Sequence, residues 1–279
     1  MSEQSTSSPG TVAFIGGGNM ASAIVGGLVR AGRAPASILV VDPGEAQCAK
    51  LEADFGVRTL PAPGAALAEA RMVVWAVKPQ LFKEAAQPSA AHVAQALQLS
   101  VMAGIRSDAI ASATGSPAVV RAMPNTPALI GQGMSGLFAR PAVSAAQRAE
   151  VEQVLAPTGR MLWVGEESAL DAVTALSGSG PAYVFYVLEA MMAAAEAMGL
   201  SAEEGKQLAL GTFAGATALA QQSGEPPSVL RERVTSKGGT THAALTSLES
   251  DGVKAAFVKA LQAAQRRAVE LGDEFGAAG

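Results

Sequence analysis

The sequence is short of the residues that build stapled, metal-centred or aromatic-rich folds. Its single cysteine, Cys48, excludes an internal disulfide and fits a reducing compartment. With only two histidines beside that cysteine, a typical structural zinc site cannot be assembled, and no metal is expected. Aromatic residues make up 4% of the chain, which argues against an aromatic-rich β-sandwich. The formal charge of −4 is spread without a long run of one sign, so no nucleic-acid partner is expected. The longest apolar stretch, Leu208 to Ala220, is too short and too rich in Gly, Ala and Thr to span a bilayer. Residues 1–10, MSEQSTSSPG, lack the apolar core of a secretory signal and read as a disordered tail. Together these absences predict a cytoplasmic protein with no membrane partner.

What is present is small and apolar. Hydrophobic residues make up 49% of 279, enough for two domains with sizeable cores, and abundant Ala and Gly suit helices packed on a parallel sheet. Thr11 to Ile15 is a short β-branched run of the kind that forms a buried strand. A helix is predicted over Asn19 to Arg30, then a strand at Ile38 to Val41, a helix from Glu45 to Phe55 and a strand at Arg58 to Leu60. Met72 to Val77 and Leu97 to Met102 read as buried strands, and Val119 to Met123 and Met134 to Phe138 as shorter ones. Strands alternating with helices imply a parallel sheet with right-handed crossovers. Beyond Gly165 to Ser168 the β-branched runs give way to helical spacing, strongest over Val184 to Met198, Ala202 to Gln222 and Val253 to Leu271. The expected division is therefore 11–165 and 166–279.

Gly16, Gly18 and Ala21 form a Gly-x-Gly-x-x-Ala pattern directly after a strand and at the mouth of a helix. In that context Gly16 permits a tight turn, Gly18 lets a pyrophosphate approach the backbone, and Ala21 allows close helix–strand packing. The free N–H groups and dipole of the helix then face the phosphates. The expected dinucleotide contacts are Gly16, Gly17, Gly18, Asn19 and Met20. Asp42, 26 residues after Gly16, either accepts from the adenosine ribose, which favours NADH, or starts an Asp-Pro turn facing solvent. Ala76, Val77, Lys78 and Pro79, with Met102, Ala103 and Gly104, end two strands and are expected along the nicotinamide-ribose side. Lys78 either meets an anionic group or is simply solvated. Asn125 lies in another strand-end loop, between Pro124 and Pro127.

The helical half holds two further turns. Ser177-Gly178-Ser179-Gly180-Pro181 interrupts the helical pattern, with Pro181 suited to the first turn of a helix. Val234-Thr235-Ser236-Lys237-Gly238-Gly239-Thr240-Thr241 exposes the backbone amides of Gly238 and Gly239 ahead of a helix predicted over His242 to Leu248. Thr240 or Thr241 can cap that helix, and the turn is either an anion site suited to one carboxylate or ordinary helix capping.

With these segments in hand the chain resembles the pyrroline-5-carboxylate reductase family from about Thr11 to its last helix. The run Pro227 to Glu249 (PSVLRERVTSKGGTTHAALTSLE) looks like that family's signature, and Ala76–Pro79, Asn125-Thr126-Pro127 and Leu176–Tyr183 follow the family's segments in order. The resemblance implies an α/β fold: an N-terminal Rossmann-type doubly wound sheet followed by an all-helical C-terminal dimerisation domain. It further implies a homodimer through the helical domain, with dimers able to form a ring. The implied reaction is hydride transfer from NADPH or NADH to the imine of 1-pyrroline-5-carboxylate, giving L-proline. By that resemblance Thr241 is the catalytic residue, and Ser179, Ser236, Gly238, Gly239, Thr240, Thr241 and Asn125 bind the imino-acid substrate. Many family members carry proline where Lys237 stands, and many lack an acid at Asp42 and prefer NADPH. A β-hydroxyacid or imine reductase of the same plan fits the first turn and the helical half, but not the Gly238–Thr241 turn. A catalytically silent dinucleotide sensor would keep Gly16 and Gly18 and have no need of Thr240 and Thr241.

Overall fold

The computed structural model describes residues 10–276; apart from Gly10, the expected tail lies outside them. By contacts the chain falls into two units. The first runs to Ser179 and resumes at Ala264, and the second is Gly180–Ala263.

The first unit is built on one eight-stranded sheet of order β3-β2-β1-β4-β5-β6-β7-β8. In chain order its elements are β1 (Thr11–Ile15), α1 (Asn19–Arg30), β2 (Ile38–Val41), α2 (Glu45–Phe55), β3 (Arg58–Leu60), β4 (Ala70–Trp75), α3 (Phe82–Val93), β5 (Leu97–Ser100), α4 (Ser107–Thr114), β6 (Val119–Met123), β7 (Gly133–Ala139), α5 (Ala145–Leu155), β8 (Gly159–Trp163) and α6 (Ala169–Val173). Strands β1 to β6 pair in parallel, as the alternating pattern predicts. Side chains alternate across the sheet. Val12 and Phe14 join a core with Ile24 and Leu28 of α1, Leu51 of α2 and Val151 of α5, while Ala13 and Ile15 join a second core with Phe82 of α3 and Ile110 of α4. Helices on both faces make the sheet doubly wound. The strand order reverses beside β1, so the carboxyl ends of β1 and β4 form the crevice where ligands bind in such sheets.

Four expectations need correction. The run read as Met72 to Val77 is a strand two residues earlier, and Val77 leads into the turn begun by Pro79. The strand expected to reach Met102 ends at Ser100, whose Oγ accepts the Met102 N–H at 3.2 Å. β7 runs antiparallel to β6, because the link between them is too short for a parallel crossover. β8 is absent from the expected strands: GRMLW carries the short apolar run Met161-Leu162-Trp163 but lies half-exposed at the sheet edge.

After β8 the described chain is helical. A π-turn over Thr174–Gly178 joins α6 to α7 (Gly180–Ala197), followed by α8 (Ala202–Ser223), α9 (Pro227–Arg233), α10 (Thr240–Ser250) and α11 (Val253–Gly276). Ser201 and Glu204 close a reciprocal capping box at the start of α8. Gly205 lets α8 approach α7 closely: a Cβ there would stand 2.8 Å from that of Ala195. Tyr183 meets Phe257 edge-on. Large apolar side chains stay exposed on this unit, among them Phe185, Tyr186 and Leu208. Among the described residues no helix is long and apolar enough to cross a membrane.

Candidate active site

The first glycine turn joins β1 to α1. Gly16 has φ +96°, and a Cβ on it would lie 2.8 Å from the Ala76 carbonyl oxygen beyond β4. Only glycine meets both demands. A Cβ on Gly17 would strike Leu51 at 2.9 Å, so α2 presses directly on the turn. Gly18 is the exposed N-cap of α1, it supplies no side-chain cap, and an added Cβ there would meet nothing within 4 Å. Open space over an uncapped helix N-terminus fits a dinucleotide pyrophosphate. Asn19 is exposed and Met20 half-buried at the same mouth, while Ala21, in the first turn of α1, is fully buried.

Asp42 does more than either sequence reading allowed. Its Oδ2 accepts the Gly17 N–H at 2.7 Å and its Oδ1 the Gly44 N–H at 2.8 Å. The Gly17 amide is therefore committed to Asp42. The partner lies 25 residues away, which no local pattern shows.

At the β4 end, Ala76 and Val77 are half-buried, Lys78 is exposed, and Pro79 opens a short 3-10 turn. Met102 is 3% exposed with its side chain packed into the core, and its N–H donates to Ser100 Oγ at 3.2 Å, so only its carbonyl is left for a backbone contact. Ala103 is half-buried, and Gly104 takes φ +77° with the Phe275 ring 2.7 Å from where its Cβ would be.

Asn125 is a clamp. Its Nδ2 donates to the Ser177 carbonyl at 3.1 Å and its Oδ1 accepts the Met134 N–H at 2.9 Å, tying the end of β6 to β7 and to the π-turn. Its side-chain amide is thus committed within the fold. The half-buried Ser179 closes that turn, its N–H bonded to the Thr174 carbonyl at 2.9 Å. Sequence reading missed the polar cluster beside it. Arg121 of β6, 5% exposed, donates to Glu167 at 2.7 Å, and Glu167 also accepts the Ser107 N–H at 2.7 Å at the start of α4. A lone arginine in a buried strand was the available signal, since such a charge requires an acid partner.

The second glycine turn, between α9 and α10, is built differently. Gly238 has φ +76° and open space around it, and the Gly239 N–H donates to the Ser236 carbonyl at 3.0 Å. Gly239 is the N-cap of α10, with no side-chain cap. Thr240 and Thr241 are the first two helical residues rather than caps, because α10 starts earlier than His242. The amides of this first turn are left free of side-chain acceptors, and the half-buried Thr241 carries a hydroxyl beside them. Ser236, Lys237 and Thr240 are exposed.

The chain matches a family profile described as pyrroline-5-carboxylate reductase dimerisation over residues 167–271, and one described as NADP oxidoreductase, coenzyme F420-dependent, over 11–104. It is 45% identical to the pyrroline-5-carboxylate reductase of Pseudomonas aeruginosa, over 95% of this chain and 98% of that one. The structure of a pyrroline-5-carboxylate reductase from Coxiella burnetii superposes with a TM-score of 0.89 at 37% identity, covering 94% of this chain and 98% of that one. The Plasmodium falciparum pyrroline carboxylate reductase with NADP bound gives 0.85 at 26% identity, covering 95% and 99%. The full-length likeness spans both the β1–α1 turn and the turn before α10, and the chain belongs to the pyrroline-5-carboxylate reductase family.

Proposed function

We propose that this chain reduces 1-pyrroline-5-carboxylate to L-proline with NAD(P)H, the last step of proline synthesis. The observation that carries the reading is the 45% identity to a pyrroline-5-carboxylate reductase over nearly the whole of both chains.

Gly16, Gly18, Asn19 and Met20 would hold the pyrophosphate on a turn that Gly17, itself committed to Asp42 and Gln47, keeps in shape; Asp42 would border the adenosine ribose, and the backbone at Ala76–Pro79 and Met102–Gly104 would border the nicotinamide ribose. When bound, the reduced nicotinamide supplies the hydride. The remaining work falls to the chain's own groups. The substrate is a cyclic imine bearing a carboxylate, and its protonated form is already a strong electrophile, so positioning and electrostatics dominate. The amides of Gly238 to Thr241 would hold the carboxylate, with Ser179 and Ser236 beside it. Asn125 would act by fixing the β6–β7 link. The Thr241 hydroxyl would hydrogen-bond the ring nitrogen and relay a proton from water, because a threonine hydroxyl cannot give up a net proton near neutrality. In functional terms residues 11–165 would serve the dinucleotide and 166–279 the substrate and the dimer. The exposed Phe185, Tyr186 and Leu208 support a homodimer through the helical residues, which we extend to a ring of dimers. The lone Cys48 supports a cytoplasmic setting.

The test is NAD(P)H oxidation with pyrroline-5-carboxylate, with β-hydroxyacids, and with neither. Turnover is expected in the first arm alone; turnover only with a hydroxyacid, or none in any arm, would overturn the reading. Thr241→Ala is expected to lower kcat about 10²-fold while the dissociation constant for NADPH holds. An unchanged kcat would remove Thr241 from the proposed mechanism.

A further inference from the structure

One polar side chain beside the first glycine turn has no part in the mechanism above. Gln47, in the first turn of α2, donates from Nε2 to the Gly17 carbonyl at 2.6 Å, and Ser22 Oγ donates to the same oxygen at 3.2 Å. On the other side of Gly17 its N–H is held by Asp42. Gly17 has no side chain of its own, yet both peptide planes that flank it are fixed from outside the turn. A trans peptide is planar, so the N–H of Gly18 points opposite to the C=O of Gly17. Anchoring that carbonyl toward Gln47 therefore aims the Gly18 N–H away from Gln47. Gly18 is exposed there, with open space beyond it, at the positive end of the α1 dipole.

We propose that Gln47 is a positioning residue for the dinucleotide pyrophosphate, acting by orienting the Gly18 N–H. The proposal rests on the reading of Gly16–Met20 as the pyrophosphate site. Gln47 works on a part of the ligand that NADH and NADPH share, so its loss weakens both alike. Asp42 works near the ribose, where the two differ.

The experiment measures dissociation constants of NADH and NADPH by nucleotide fluorescence on the full chain, with a melting curve for each variant. Gln47→Met keeps the length and removes the donor; affinity for both nucleotides is expected to fall about tenfold, or about 1.4 kcal/mol. Gln47→Glu sets a carboxylate oxygen against the Gly17 carbonyl and is expected to bind more weakly still. The nucleotide-free Tm is expected to move by about 2 °C or less, which a general packing defect would not respect. Ser22→Ala removes the second donor to the same carbonyl and is expected to cost about threefold in both affinities, which keeps the idea testable should a Gln47 variant fold poorly. Gly18→Val serves as the reference. Unchanged affinities in Gln47→Met while Gly18→Val abolishes binding would overturn the role of Gln47 and leave the turn as the site. Unchanged affinities in Gly18→Val would overturn the reading of the turn, and the proposal with it. A changed NADH-to-NADPH ratio in Gln47→Met would move Gln47 to the ribose and also overturn the proposal.

Discussion

The two glycine turns use the same device in opposite surroundings. Each places a positive-φ glycine, Gly16 or Gly238, just ahead of a helix that lacks a side-chain cap. The first is packed closely against the Ala76 carbonyl and the Leu51 side chain and is hydrogen-bonded from outside by the Asp42 carboxylate and the Gln47 amide. Around the second, an added Cβ on Gly238 would meet nothing within 4 Å, and Gly239 bonds to the nearby Ser236 and Ala243. A turn braced on four sides is organised before a ligand arrives, and its affinity is not reduced by an ordering cost. The second turn takes its shape from bonds within its own few residues. Glycine content in the sequence thus marks where the backbone turns, while contacts from distant residues determine what braces the turn.

The contrast can be broken by substitution. The largest effect is expected from Gly16→Val, which combines a β-branched residue at φ +96° with a contact against the Ala76 carbonyl. NADH and NADPH affinity should fall at least about 100-fold and the Tm should drop, read by titration and calorimetry. Gly238→Ala comes next. Its φ of +76° strains alanine, but open space leaves no clash, so KM for the imino acid should rise about tenfold while nucleotide affinity holds. A loss of nucleotide affinity as deep as that of Gly16→Val would erase the distinction between the turns. The smallest effect is expected from Asp42→Asn, which keeps the size of the side chain and removes its charge. The ratio of NADPH to NADH affinity should rise several-fold; a clear preference for NADPH in the parent, unchanged in Asp42→Asn or Asp42→Ser, would show that Asp42 serves the turn alone.

Where signals are local, the sequence was enough. The strand, glycine turn, helix and second strand from Thr11 to Val41 stand as their periodicity and punctuation indicate. The direction of β7 was not legible from its own residues, since it follows from the length of the preceding link. The edge strand β8 was hidden because none of its residues is fully buried and its apolar run is short. Within the candidate site, the glycines announced themselves, whereas the side chains that position them did not. Asp42 was noticed for its charge, but its bond to Gly17, like the bond from Gln47 and the Arg121–Glu167 pair, joins residues tens of positions apart. Met102 shows the converse: a strand-end residue at the ligand edge whose apolar side chain belongs to the core.

The end of α11 carries a consequence for the order in which the molecule can be made. After Gly180–Ala263 the chain rejoins the first unit at Ala264. There Asp273 pairs with Arg106 at 3.3 Å, Gly272 leaves room for the same guanidinium, and Phe275 lies against Gly104. These partners sit between β5 and α4, while the residues that complete them leave the ribosome after all of Gly180–Ala263. The nucleotide-binding half therefore waits, unfinished along one edge, until all of Gly180–Ala263 has been made.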